Sequence, residues 1–181
     1  AALVVKLRKN DIPVISEIEF ASWFSETPVI GITGSNGKTT VTNLIQHLLK
    51  NGEVNSGMGG NIGNSYAKMV AENKHNWFVL ELSSFQLDGI EDFKPHIAIL
   101  TNITPDHLDR YDYKFENYIE SKFRITKNQT AEDYFIYDAD DPVITEWLEK
   151  NPVKAQKLPF SMEKKLEKGA YLEDTNIVIK I

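Results

Sequence analysis

The chain has 181 residues, 41% of them hydrophobic and 25% charged, with a net charge of −6 and no cysteine. That supports one ordinary globular core, excludes disulfides and thiolate metal sites, and, with no basic stripe, argues against a nucleic-acid partner. No apolar run approaches the roughly 20 residues of a membrane-spanning helix.

Strand-like and helix-like runs alternate along the chain. This is the pattern of an α/β protein with a mostly parallel sheet and helices on both faces. A helix-like run at 2–9 leads into a short strand at 13–15 and a helix at 17–24. Val29, Ile30 and Ile32 then mark a buried-type strand, 28–33, which runs into Thr33-Gly34-Ser35-Asn36-Gly37-Lys38-Thr39-Thr40 and a helix at 38–51. Val41, Leu44, Ile45, Leu48 and Leu49 fall at helical spacing and form its expected apolar face.

A strand, a glycine-rich turn and a helix in that order make a phosphate-binding loop. Gly34 and Gly37 allow the tight turn that aims backbone N–H groups at phosphate oxygens. Lys38 supplies a point charge near the β- and γ-phosphates, Thr39 a hydroxyl for Mg²⁺, and the helix start its positive dipole end. The spelling departs from the commonest such motif, since the position of its first glycine is Ile32. The alternative is a plain strand–turn–helix with a surface lysine; the strand and helix on either side favour phosphate binding.

A helix is expected at 63–72 and a strand at 77–82 that brings Glu81 to its end. There Glu81 either shares a Mg²⁺ with Thr39 or is a solvated strand-edge glutamate. Ser83, Ser84 and Gln86 follow, able to cap the next helix or to bond a polar ligand. A strand at 96–100 precedes a polar loop holding Asp106, His107, Asp109 and Arg110. A lone loop histidine is usually a plain surface residue, but its place beyond a strand makes His107 a candidate ligand. Arg110 is a candidate to neutralise a phosphoryl group.

In the helix expected at 114–126, Phe115, Tyr118 and Ile119 set an apolar face on which Lys122 also falls. Such a lysine either snorkels to water, which periodicity alone favours, or loses its charge by desolvation. An uncharged amine there can capture CO₂ as a carbamate and bind Mg²⁺. A strand at 133–138 is followed by a helix at 141–149, with Pro142 in its first turn after a capping Asp140 or Asp141. A strand at 155–160 and a hairpin within 171–181, turning at Asp-Thr-Asn, complete the elements. The chain starts at Ala1 inside a helix-like run and stops at Ile181 inside an alternating apolar one, so a segment of a longer protein is expected.

Five ordered segments together resemble the Mur ligases, the ATP-dependent amide-forming enzymes of peptidoglycan precursor synthesis. They are Thr33 to Thr40, Gly59-Gly60-Asn61-Ile62-Gly63, Glu81-Leu82-Ser83-Ser84-Phe85-Gln86-Leu87, Asn102 to Tyr111, and Ser121-Lys122-Phe123-Arg124-Ile125. Ser-Ser-Phe-Gln-Leu and His-Leu-Asp-Arg-Tyr are most similar to the branch that joins D-glutamate to UDP-N-acetylmuramoyl-L-alanine. The likeness spans roughly residues 13–160. It implies a P-loop NTPase-like central domain at 27–181, truncated at its C-terminal end, after a tail of the uridine-nucleotide domain and its junction at 1–26.

By resemblance, Gly34, Ser35, Asn36, Gly37, Lys38, Thr39 and Thr40 hold ATP, and Thr39 and Glu81 hold a first Mg²⁺. His107 and a carbamylated Lys122 serve a second Mg²⁺, making Lys38, His107 and Lys122 the catalytic set. Asn61, Ser83, Gln86 and Arg110 contact substrate. Adenine contacts are expected beyond Ile181. Asp138 stands where the family usually has asparagine, so the resemblance assigns its turn no role. The implied protein is a monomeric, cytoplasmic bacterial enzyme acting on small molecules, and this chain alone is expected to be inactive. The competing readings are a nucleotide-driven switch or motor, a non-catalytic nucleotide-binding module, or another Mur-type or folylpolyglutamate-type ligase.

Overall fold

The structure, a computed structural model, describes residues 2–181. Its elements in chain order begin with α1 (Ala2–Arg8), α2 (Glu17–Ser22), β1 (Val29–Thr33), α3 (Lys38–Asn51), β2 (Ser56–Gly60) and α4 (Tyr66–Glu72). They continue with β3 (Trp77–Glu81), α5 (Ser84–Leu87), β4 (Ile97–Leu100), α6 (Phe115–Phe123), β5 (Tyr134–Asp138) and α7 (Pro142–Lys150). The last three are β6 (Gln156–Ser161), β7 (Gly169–Glu173) and β8 (Asn176–Lys180). One eight-stranded sheet runs β2-β3-β1-β4-β5-β6-β7-β8. It is parallel except for the final β7–β8 hairpin.

The central strands are buried on both faces, as a parallel sheet covered by helices requires. Along β3 the alternation is explicit: Phe78 and Leu80 face the larger core with α2, α4, α5 and α6, while Val79 faces α3. On that second face Ile30, Ile32, Val79 and Ile99 pack against Val41, Ile45 and Leu49 of α3. Leu44 and Leu48, expected on the same stripe, are 54% and 59% exposed. The phosphate-type turn that launches α3 sets its rotation about its axis, and the inward face centres on Thr42, Ile45 and Leu49.

The strand expected at 13–15 does not form. Pro13 has no N–H to donate, and the segment is tied to the loop at Gly89, to whose carbonyl Ser16 N–H donates at 2.8 Å. Conversely, β2 (Ser-Gly-Met-Gly-Gly) carries no strand signal of its own. It forms because small residues at the sheet edge can run in register beside β3, Ser56 opposite Trp77 through Gly60 opposite Glu81. The helix expected at 114–126 is α6 followed by a 3-10 turn at Arg124–Thr126, and Asp141 is the residue that caps α7. The chain then closes on the expected hairpin, β7–β8.

One buried anchor lies outside the sheet. Glu19 of α2, 0% exposed, accepts the N–H groups of Glu91, Asp92 and Phe93 and the indole N–H of Trp23. Burial alone would raise its pKa, but those bonds hold it below the usual carboxylate range.

Candidate functional site

Parallel sheets present their ligand sites beyond the carboxyl ends of the strands, and here β3, β1 and β4 end side by side. After β1 the backbone turns through Gly34 (φ +145°) and Gly37 (φ +80°) into α3. Gly34 has no room for a side chain, since a Cβ would collide with the hydroxyl of Thr101. Gly37 is the N-cap of α3 and offers no side chain to cap it, leaving the first-turn N–H groups at Lys38, Thr39 and Thr40 directed outward. Lys38 folds back on the turn, its Nζ donating to the carbonyls of Gly34 (2.9 Å) and Ser35 (2.8 Å). An ammonium has three donors, so one remains for an incoming anion.

Glu81, at the end of β3, is 2% exposed. One of its oxygens accepts from Thr39 Oγ1 at 2.7 Å, the other from Asn61 Nδ2 at 2.8 Å. Asn61 reaches it because β2 delivers the chain beside β3, where Asn61 N–H also donates to the Glu81 carbonyl at 2.8 Å. Glu81 forms no ion pair among the described residues, and its side chain is met instead by the Thr39 hydroxyl and the Asn61 amide N–H. Among the described residues no group of three or more acidic or histidine side chains forms a metal cage. The chemistry fits Mg²⁺, which takes one or two carboxylates and completes its shell with water and substrate phosphate.

Lys122 of α6 does not snorkel. It is 2% exposed, and its Nζ donates to the Gly34 carbonyl at 2.8 Å with Thr33 Oγ1 at 3.4 Å. Burial first, and then the neighbouring Lys38 charge, lower its pKa to about 7. The Tyr118 ring lies 5.1 Å from Nζ.

Lys38, Lys122, Asn61, Ser83 and His107 all line one cavity of about 150 Å³, with Phe85, Asp106 and Tyr118 completing much of its wall. His107 sits on the exposed loop after β4 with a left-handed backbone (φ +49°), its ring 5.1 Å from Phe85 and its Nε2 3.4 Å from Asp106. Arg110 lies over the same Phe85 ring, its guanidinium 4.2 Å from the centroid, and does not itself line the cavity. Ser83 and Gln86 form a reciprocal capping box at the start of α5. The Gln86 amide oxygen is thereby occupied by Ser83 N–H and Oγ at 3.0 Å each, and only Ser83 faces the cavity.

Sequence reading passed over Tyr118 as part of an apolar face. It stands one helical turn before Lys122, so the face that buries the lysine also brings its ring to the cavity. Its hydroxyl lies 3.2 Å from Ser35 Oγ, and burial pushes its pKa up.

Residues 32–179 match the Mur ligase middle domain. The chain is 80% identical over 181 residues to the UDP-N-acetylmuramoylalanine–D-glutamate ligase of Christiangramia forsetii, covering all of this chain and 41% of that protein. It is 54% identical over 179 residues to the ligase of the same name from Bacteroides fragilis, covering 99% of this chain and 40% of that protein. The chain thus spans about two-fifths of the length of the curated relatives it matches. Among solved structures, the MurF ligase from Thermotoga maritima in complex with ADP has a similar fold, with a TM-score of 0.63 at 24% identity, covering 89% of this chain and 39% of that one. So does UDP-N-acetylmuramate:L-alanyl-gamma-D-glutamyl-meso-diaminopimelate ligase from Neisseria meningitides, with a TM-score of 0.67 at 17% identity, covering 96% and 61%.

Proposed function

Because the chain belongs to the Mur ligase family, we propose that it is the ATP-handling part of a cytoplasmic ligase that joins D-glutamate to UDP-N-acetylmuramoyl-L-alanine. The carrying observation is the convergence of Lys38, Asn61, Ser83, His107 and Lys122 on one cavity beside an uncapped helix start. The likeness in sequence to ligases named for those two substrates supports the choice within the family.

In this reading the γ-phosphate of ATP enters beside Lys38, and the first-turn N–H groups of α3 take the phosphate oxygens. An alanyl carboxylate oxygen attacks the γ-phosphorus, the bond to the bridging oxygen breaks, and ADP leaves with the electron pair. The amine of D-glutamate then attacks the acyl carbon, phosphate departs, and the nitrogen loses a proton as the amide forms. The protein's part is alignment and charge neutralisation. In this reading Asn61 and Ser83, which line the cavity, orient the muramoyl-alanine end, and Arg110, stacked on Phe85, adds positive charge at the rim.

Thr39 and Glu81 would hold one Mg²⁺, which supplies electrostatic stabilisation of the phosphoryl oxygens. His107 and the carbamate of Lys122 would hold another. The neutral Nζ bonds to the carbon of CO₂ and loses a proton, which turns a neutral amine into an anionic carbamate with hard oxygen donors.

The test is phosphate release by the full-length protein with UDP-N-acetylmuramoyl-L-alanine alone, D-glutamate alone, and both. Sustained release requiring both is expected. Release independent of both would instead make the protein a nucleotide-driven switch or motor.

A further inference from the structure

The phosphate-type loop is braced from behind by the first residues after β4. Asn102 pairs with both backbone groups of Asn36: its Oδ1 accepts the Asn36 N–H at 2.9 Å, and its Nδ2 donates to the Asn36 carbonyl at 3.0 Å. Its own carbonyl accepts the Ser35 N–H at 2.9 Å. Thr101 Oγ1 adds a second donor to the Asn36 carbonyl at 2.7 Å, and Ser35 Oγ exchanges bonds with Thr104 O (2.8 Å) and Thr104 N–H (2.9 Å). The brace is itself anchored, because Ile103 N–H donates to Asp141 Oδ2 at 2.8 Å, the carboxylate that also caps α7.

We propose that Asn102 is a positioning residue for nucleotide binding, holding residues 34–37 in the anion-receiving turn before any nucleotide arrives. The proposal rests on the reading of residues 34–40 as the phosphate site. Two consequences follow from the bond inventory. The N–H groups of Ser35 and Asn36 are already engaged, so the phosphates are received by Lys38 and by the free N–H groups that begin α3. The loop is also held in its turn before binding, which lowers the ordering cost of binding, since a side-chain amide supplies the pairing that a neighbouring strand would otherwise give.

The experiment uses the full-length protein with Asn102→Ala and Asn102→Asp. Aspartate keeps the shape and one acceptor but sets a second acceptor against the Asn36 carbonyl, so it separates hydrogen bonding from packing. Both variants are expected to weaken ADP binding by about tenfold, the scale of one or two lost net hydrogen bonds. Amide exchange over residues 33–38 should quicken in nucleotide-free protein, with the unfolding temperature and uridine-nucleotide affinity near wild type. Wild-type ADP affinity in Asn102→Asp, or slow exchange at 33–38 in both variants, would overturn the proposal. A parallel loss of every ligand and of thermal stability would also overturn it, by making Asn102 a general structural residue. Absence of ADP binding in the wild-type protein would instead overturn the phosphate-site reading, and with it the binding role of the brace.

Discussion

The side chains of Lys38 and Lys122 converge on a single acceptor, the carbonyl oxygen of Gly34, at 2.9 Å and 2.8 Å. One lysine arrives from the helix that follows the loop, the other from α6, 84 positions further along the chain (122 − 38). Two full charges at one carbonyl repel, and the buried member yields: Lys122 has the lowered pKa, near 7, because burial penalises its charge and Lys38 adds to the penalty. Near pH 7 the helix lysine is therefore only partly protonated.

Removing Lys38 should therefore change Lys122. Lys38→Ala is expected to raise the Lys122 pKa, though not to the ordinary lysine value, since burial is the larger cause and remains. Heteronuclear NMR titration of the lysine Nζ reads this directly, and an unmoved pKa would show that the two amines do not couple. The same variant should lose ATP-dependent phosphate release, with circular dichroism reporting an intact fold.

Lys122 also gives stability a pH dependence. Its folded pKa lies below the unfolded value of about 10.5, so between pH 7 and that value the unfolded chain binds the extra proton. Its contribution to stability thus rises with pH through the window and is lost as pH falls toward 7, by up to a few kcal/mol at about 1.4 kcal/mol per pKa unit. Tyr66 and Tyr111, both pushed up to about 12 by burial, titrate alike in wild type and Lys122→Met and cancel in the comparison. Chemical denaturation of both proteins from pH 7 to 10 should give curves that diverge; parallel curves would mean that Lys122 keeps an ordinary pKa.

Glu81 and Thr39 share a hydrogen bond of 2.7 Å where a cation is expected. Glu81→Ala should remove most of the Mg²⁺ enhancement of ADP binding, roughly tenfold or more, while Mg²⁺-free binding stays near wild type. Thr39→Ala should do the same more weakly. Calorimetry with and without the metal is the measurement, and a full Mg²⁺ response in Glu81→Ala would remove Glu81 from the site.

If Lys122 works as a carbamate, Lys122→Ala should inactivate the full-length enzyme, and formate or acetate at high concentration should restore part of the activity. The cavity is about 150 Å³, so rescue should fade as the acid grows. Lys122→Arg should stay inactive because a guanidinium keeps its charge and forms no carbamate. Normal turnover in Lys122→Arg would make the residue a simple cation for phosphate.

Local sequence was enough for the alternation of strands and helices, the strand–turn–helix at 28–51, the place of Glu81 at a strand's end and that of His107 in the loop beyond one. Those features are local: a run of branched apolar residues, glycines at a forced turn and a polar break are written within a few residues of one another. Tertiary structure decided what pairing and burial control. The glycine-rich β2 exists only because β3 lies beside it. The stretch at 13–15 fails as a strand, with Pro13 lacking a donor and one bond tying Ser16 to Gly89. Leu44 and Leu48 turn outward because the loop before α3 sets the helix's rotation. Whether Lys122 reached water could not be read from its spacing, because snorkelling and burial share the same helix face. Burial and the Lys38 charge lower its pKa, and both that charge and the Gly34 carbonyl it bonds come from a loop more than eighty positions earlier in the chain (122 − 38 = 84).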